Sequence, residues 1–225
     1  MPVSTVPSLV VHSSKSDGLF RLILTGRQED ALKKVADSCE TETRVITASL
    51  SSKDEVLVDF PDQLGLKATI GALQISSLAE KALGAFSGRL DYLVNNAGVI
   101  EKGALADSDE AQLERILQTN LNSVYQLTRL CLPAIKANKA MLALPLPGID
   151  PLKGCRPQGS IVNVSSVNGM RAFPGLVAYN VSKAGLDQFT RCLALELAPD
   201  GVSSSSLRLE GLFSQASSPI VARCG

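Results

Sequence analysis

The sequence predicts an α/β fold: three layers, doubly wound, around a mainly parallel sheet. Three observations carry this. Short apolar, β-branched runs recur at residues 20–24 (FRLIL), 44–48 (RVITA), 91–94 (DYLV) and 160–164 (SIVNV), each the length of a buried strand. Stretches with helical spacing separate them, near 29–38, 76–86 and 108–135, and a further helix follows the last run. Each connection also exceeds the dozen or so residues that a parallel crossover needs.

The chain of 225 residues is long enough for one domain, 1–225, with a sizeable core. Formal net charge is zero, with 22 basic and 22 acidic residues, so nothing points to nucleic acid or a membrane surface as partner. No apolar run is long enough to span a bilayer. The N-terminus lacks a basic stretch followed by a long apolar core. Five scattered cysteines (Cys39, Cys131, Cys155, Cys192, Cys224) show no metal spacing and read as reduced thiols of a cytoplasmic protein. His12 is the one histidine, which excludes a His-based triad or a His-ligated zinc site.

Taken in order, residues 1–18 form an atypical N-terminal segment rich in Ser, Pro and Val, with one candidate strand at 8–12 (SLVVH). Seven residues separate His12 from Phe20. That is too few for a parallel crossover, so neighbouring strands here must pair antiparallel. The strand 20–24 ends at Thr25-Gly26-Arg27, and the helix 29–38 places Leu32, Val35 and Ala36 on one face. Strand 44–48 is followed by a long connection, 51–74, part of which reads as an insertion. Within it, Phe60-Pro61-Asp62 resembles a turn or helix start. Helix 76–86 and strand 91–94 lead to Asn95-Asn96-Ala97-Gly98. Ser108-Asp109-Glu110 resembles an N-terminal cap for the one or two helices of 108–135. Four prolines and two glycines in 137–158 exclude a regular helix through its second half and suggest an inserted surface loop. Residues 202–225, opening on a serine run, read as an atypical, flexible tail, of which 202–209 can still pair as a ragged strand.

The residues that carry chemistry cluster in 159–198. Strand 160–164 leads into Ser165 and Ser166, then a loop punctuated by Gly169, Pro174 and Gly175. The helix that follows carries apolar residues at Val181, Ala184, Gly185, Phe189, Cys192, Leu193, Leu195 and Leu197, and ends at Pro199 and Gly201. Tyr179 and Lys183 are four apart and share one helix face. An ammonium near a phenol favours the phenolate, which suits a tyrosine that passes a proton. Ser166 lies thirteen positions before Tyr179, at the C-terminal end of a strand, where ligands of parallel α/β sheets bind. A hydroxyl there can hold a substrate carbonyl while Tyr179 protonates it.

The runs S-I-V-N-V-S-S and Y-N-V-S-K, with Leu90-Asp91-Tyr92-Leu93-Val94-Asn95-Asn96-Ala97-Gly98 and Thr119-Asn120-Leu121 upstream, resemble the short-chain dehydrogenase/reductase family, classical type. The resemblance covers roughly residues 20–201. It implies a Rossmann-like domain that transfers hydride between a nicotinamide cofactor and a carbonyl or alcohol. By that likeness Tyr179 is the general acid or base and Lys183 tunes it and bonds the nicotinamide ribose. Ser166 positions the carbonyl, and Asn120 distorts its helix and supports a proton relay. Asn95, Ala97 and Gly98 bracket the adenosine ribose. Arg27, directly after the second strand, favours NADP over NAD, because a guanidinium pairs with the 2′-phosphate. The resemblance further implies a homo-oligomer through the helices of 112–135 and 179–197.

Two departures limit the likeness, leaving the fold incomplete at both ends. The family places a strand, a G-x-x-x-G-x-G loop and a helix before the second strand, but the one glycine here before Gly26 is Gly18. Beyond Gly201 neither the expected sixth strand nor the Pro-Gly turn is recognisable. Two readings therefore stand: an NADP(H)-dependent oxidoreductase acting on a small carbonyl or alcohol, and a non-catalytic truncated or alternatively spliced form of such an enzyme.

Overall fold

The computed structural model describes residues 8–12, 21–39, 41–48, 58–59, 67–68, 70–85, 88, 90–137 and 159–209. Its centre is a six-stranded sheet built from β1 (Ser8–His12), β2 (Arg21–Gly26), β3 (Glu42–Thr47), β6 (Tyr92–Asn95), β7 (Gly159–Ser166) and β8 (Val202–Leu209). Between β3 and β6 stand a short antiparallel ribbon, β4 (Val58–Asp59) with β5 (Lys67–Ala68), and the helix α2 (Ile70–Ala85). The other helices are α1 (Glu29–Asp37), α3 (Glu110–Leu117), α4 (Ser123–Lys136) and α5 (Val177–Leu197). None is long and apolar enough, among the described residues, to cross a membrane.

Strand order across the sheet is β3-β2-β1-β6-β7-β8. Setting the ribbon aside, this is the 3-2-1-4-5-6 order of doubly wound dinucleotide-binding sheets. β2 pairs parallel with β3, and β6, β7 and β8 are parallel to one another. β1 is the exception. It lies between β2 and β6 and is antiparallel to both, with Val10 opposite Ile23 on one side and Leu93 on the other. The antiparallel sense expected from the short link to the next strand is therefore observed.

This reversal decides what reaches the ligand edge. The C-terminal ends of β2, β3, β6, β7 and β8 lie along one edge of the sheet. β1 brings its N-terminal end there, with Ser8 opposite Thr25. The chain leaving β1 starts from the opposite edge.

The core joins Ile23, Leu93 and Ile161 of the sheet to Ile75, Leu78, Ala79 and Ala82 of α2, to Leu127, Cys131 and Ile135 of α4, and to Leu193 and Leu197 of α5. Each large aliphatic side chain buried here contributes about 1.5–3 kcal/mol relative to exposure. Cys131 is core filler, as expected, and burial pushes its thiol up to about 12.

Two expectations are corrected. Residues 202–209, expected as a ragged strand at most before a flexible tail, form an eight-residue strand in unbroken parallel register with β7, from Gly159–Val202 to Ser166–Leu209. The ladder and Val202, buried in the core, order a serine-rich sequence of poor intrinsic strand preference. On α5 the buried face runs through Ser182, Lys183, Leu186, Asp187, Thr190, Leu193 and Leu197, while Val181, Cys192 and Leu195 are exposed. The helix is rotated so that its polar residues meet the sheet. The expected turn at Phe60-Pro61-Asp62, the loop 138–158 and the segment 210–225 lie outside the described residues.

Candidate active site

Three elements deliver the predicted side chains to one place. β7 ends at Ser166, whose hydroxyl caps the short 3-10 turn Val167–Gly169 by accepting from the Asn168 N–H at 3.2 Å. α5 begins eleven residues later and carries Tyr179 in its first turn, with Lys183 one turn on. The Tyr179 phenol is hydrogen-bonded to Ser166. Lys183 is buried, its Nζ 5.8 Å from the centre of the Tyr179 ring and 2.8 Å from the carbonyl oxygen of Val164, to which it donates. An ammonium has three donors, so this bond leaves two for other partners.

Asn120 sits in a π-helical segment, Gln118–Asn122, set between α3 and α4. The local helix distortion implied for it is present, and such bulges gather at functional sites. Its amide is fully engaged: Oδ1 accepts from the Val99 N–H at 2.8 Å, and Nδ2 donates to the Val99 carbonyl at 2.9 Å and to Ser182 Oγ at 3.0 Å. The side chain thus ties the loop after β6 to α5. That loop brings Gly98 against the same spot. A Cβ on Gly98 would stand 3.5 Å from Asn120 Oδ1 and 3.6 Å from Lys183 Nζ, so the glycine keeps a small open cradle beside both.

The other predicted residues are placed differently. Arg27 is exposed just beyond β2, on the ligand edge. Ala97 is half-buried in the loop next to Gly98. Asn95 turns its side chain inward, where Nδ2 donates to Thr128 Oγ1 on α4 at 3.1 Å and to Asn163 Oδ1 on β7 at 2.9 Å. Its amide holds the central strands, as the resemblance implies for this turn, but through side chains where a bond to backbone was implied.

The electrostatics also depart from expectation. Lys183 was expected to lower the phenol of Tyr179. Burial instead pushes that phenol up, with the Ser166 hydrogen bond pulling against it. Lys183 is itself brought down to about 8 by burial, opposed by the Asp187 carboxylate. Spacing along a helix shows that two groups can meet, but not how far both are removed from water.

Two residues that sequence reasoning missed hold the site together. Asn168 accepts from Ser166 Oγ at 3.1 Å and donates to Asn180 Oδ1 at 2.7 Å, and Asn180 donates to the Phe173 carbonyl at 3.1 Å. This chain fixes the loop between Ser166 and α5. The available signal was an amide side chain two residues after a serine at a strand end, a local turn pattern.

Ser166 thus donates to Asn168 and is also hydrogen-bonded to Tyr179. A carbonyl oxygen entering between Ser166 and Tyr179 would meet two hydroxyl donors at once. The arrangement suits protonation of an oxygen that gains negative charge.

Comparison with known proteins agrees with this geometry. The family model described as short chain dehydrogenase matches residues 64–214. Cyclopentanol dehydrogenase of Comamonas testosteroni is 36% identical over 122 residues, covering 54% of this chain and 41% of that protein. Dehydrogenase/reductase SDR family member 7B of Xenopus tropicalis is 28% identical over 179 residues, covering 80% of this chain and 48% of its own. The crystal structure of a short-chain dehydrogenase from Streptomyces avermitilis superposes with a TM-score of 0.60 at 27% identity, over 83% of this chain and 55% of that one. The chain spans about half the length of the curated relatives it matches.

Proposed function

The chain belongs to the short-chain dehydrogenase family, whose members are oxidoreductases that use nicotinamide cofactors on small molecules, and from that premise we propose that it is an NADP(H)-dependent reductase of a small carbonyl compound. The observation that carries the proposal is the convergence of Ser166, Tyr179, Lys183 and Asn120 at the C-terminal edge of β7. The cofactor, when bound, supplies hydride to the carbonyl carbon. Ser166 and Tyr179 hold the carbonyl oxygen. Tyr179 then gives it a proton. At neutral pH the phenol carries its proton, as burial favours, and that proton is the one a reduced carbonyl oxygen would take.

The residues fit one end of the cofactor better than the other. Lys183, Tyr179 and the Gly98 cradle suit the nicotinamide ribose, and exposed Arg27 suits a 2′-phosphate. For the pyrophosphate, no helix N-terminus follows β1 among the described residues, and reversed β1 sends its outgoing chain to the far edge. This favours a second reading, a non-catalytic relative that keeps the site but grips the dinucleotide poorly. The proposed partners are a small carbonyl or alcohol and a second copy of the chain. The proposed compartment is the cytoplasm, in keeping with the free Cys39, Cys131 and Cys192.

Titration calorimetry of the purified chain with NADPH and NADH separates the readings. Micromolar NADPH binding, with NADH weaker, is expected, followed by NADPH consumption in a screen of small ketones and aldehydes. A folded chain that binds neither cofactor would leave only the non-catalytic reading.

A further inference from the structure

A line of hydrogen bonds runs from the Ser166 hydroxyl to a backbone carbonyl, and that carbonyl sets the direction of every bond in it. The Phe173 oxygen can only accept, so the Asn180 amide meets it with Nδ2, at 3.1 Å. Asn180 Oδ1 is then the end that faces Asn168. As an acceptor it requires Nδ2 of Asn168 opposite, at 2.7 Å. That leaves Asn168 Oδ1 facing Ser166 Oγ at 3.1 Å, and the hydroxyl must donate. Ser166 Oγ also lies 3.2 Å from the Asn168 N–H, which can only donate to it. A hydroxyl has one proton and two lone pairs. Asn168 takes the proton and one lone pair, and the other lone pair is what remains for Tyr179. Ser166 and Asn168 are both buried, so water has little access to reverse the chain. The turn that carries Asn168 is pressed onto α5: a Cβ on Gly169 would come within 2.7 Å of Asp187 Oδ2 and 3.0 Å of the Lys183 carbonyl oxygen.

We propose that Asn168 and Asn180 are positioning residues for the reaction: by committing the Ser166 proton to Asn168, they make Ser166 the acceptor and Tyr179 the donor of their shared hydrogen bond. The phenol then has a partner for its proton, whereas a phenolate would face a lone pair. A carbonyl oxygen entering the site takes the phenol proton with the chain unchanged. To receive the Ser166 proton as well, it draws that proton off Asn168, which exchanges one neutral acceptor for another. The charged groups around Tyr179 stand apart from this chain. Lys183 shares α5, its Nζ 5.8 Å from the centre of the ring, and Asp187 is paired with Arg208 of β8. On α3, Glu114 is exposed and Arg115 is paired with Glu101 and Asp109. Asp200, beyond the end of α5, is paired with Lys136. Lys102 and Arg171, on the loops after β6 and after the 3-10 turn, are exposed. β7, the turn and the π segment carry no charged side chain.

This inference rests on Ser166 and Tyr179 being the pair that holds the substrate oxygen, but its test needs no turnover. The chain has three tyrosines, so the Tyr179 phenol is titrated by carbon NMR of protein labelled at the tyrosine ring carbon that bears the oxygen, with Tyr179→Phe identifying the signal. Asn168→Leu keeps the size and removes the acceptor. It frees Ser166 to donate to the phenolate, so the Tyr179 midpoint is expected to fall by about half a pH unit or more. In a Ser166→Ala background the same substitution is expected to leave the midpoint where it was, which separates action through the hydroxyl from a general loosening of the turn. A midpoint that does not fall in Asn168→Leu, or that falls equally without Ser166, would overturn the proposal. If Asn168→Leu does not fold, Asn180→Leu cuts the link to the Phe173 carbonyl at a half-buried position and is read in the same way. A fall that needs Ser166 supports the proposal, and its absence overturns it. A folded chain that binds neither cofactor would sink the reductase reading and leave this titration readable.

Discussion

Asn95 and Asn163 stand directly opposite each other on β6 and β7, and their side chains are joined by a 2.9 Å hydrogen bond in the interior. The line continues outward on both sides. Asn95 also donates to Thr128 on α4, and Asn163 donates to Thr190 on α5, whose hydroxyl passes on to the Leu186 carbonyl. All four side chains are buried. The network pins both flanking helices to the two strands that end at the site, so its integrity sets how α5 meets β7.

Asn163→Ala should therefore destabilise the fold by about 1–3 kcal/mol, because it removes one buried hydrogen bond from the Asn95 amide and one from the Thr190 hydroxyl, leaving Asn95 tied to Thr128 alone and Thr190 to the Leu186 carbonyl alone. Urea unfolding checks this. The transition midpoint should fall with the slope unchanged. A loss no larger than that of an exposed substitution would mean that the network is not holding the helices.

Lys183 makes stability depend on pH in a defined window. Its ordinary value of 10.5 falls to about 8 in the fold because it is buried. Between those values the unfolded chain binds a proton that the folded chain lacks, so stability should rise with pH across the window, by on the order of 3 kcal/mol. Below pH 8 both states are protonated and the cost of the buried ammonium is fully felt. Tyr179 acts in the opposite sense above pH 10. Its raised phenol keeps its proton in the fold after the unfolded chain has lost it, so that contribution declines as pH climbs further. Lys183→Met should abolish the rise between pH 8 and 10.5. Stability curves that run parallel for the two proteins across that window would show that Lys183 does not titrate there.

Gly98 separates folding from ligand binding. An added Cβ would meet its neighbours at ordinary contact distance, and the residue is exposed with no positive φ to protect. Gly98→Ala should leave stability within about 0.5 kcal/mol of the parent. It should also fill the cradle beside Lys183 and weaken NADPH binding by about tenfold or more, a loss of at least 1.4 kcal/mol. Unchanged affinity in calorimetry would place the cofactor elsewhere.

The exposed apolar residues bear on assembly. Leu195 on α5 is 80% exposed, Val181 50%, and Tyr125 on α4 53%, while Tyr125 and Phe189 bring the two helices together with ring centres 5.5 Å apart. Leu195→Glu should convert an oligomer to monomer in size-exclusion chromatography with light scattering, since a charge in such a contact is left unpaired. A parent chain that already runs as a monomer would remove the homo-oligomer from the proposal.

What the sequence disclosed, and what it hid, follows physical lines. Tyr179, Lys183 and Ser166 were legible because spacing along a helix and position at a strand end determine where side chains go, whereas Asn120 was legible only through the family resemblance of Thr119-Asn120-Leu121. The antiparallel sense of β1 was legible because a short link leaves no room for a crossover. The strand β8 was legible only as a ragged pairing, since Ser203 to Ser206 show neither alternation nor β-branching, and its order comes from the ladder with β7. The side-chain partners of Asn95 were hidden. Nothing in Asn95-Asn96-Ala97-Gly98 reveals that Thr128 and Asn163, far away in sequence, wait for its amide. The rise in the Tyr179 phenol and the polar buried face of α5 both depend on burial, which the local pattern does not carry.

The reversed β1 can be tested as a structural element. Val10 is paired on both sides, with Ile23 and with Leu93, so β1 is interior to the sheet and not an edge. Proline supplies no N–H and belongs on edge strands or bulges. Val10→Pro should remove a ladder bond and leave a buried carbonyl without its partner, costing about 1–3 kcal/mol before any strain. Val10→Thr keeps the β-branch and the N–H and serves as the control. If urea unfolding shows the proline variant as stable as the threonine one, the segment is dispensable and β2 and β6 must find another arrangement. If the proline variant alone collapses or aggregates, the antiparallel strand does the structural work of a central strand, and the open question at the ligand edge narrows to what replaces the pyrophosphate grip.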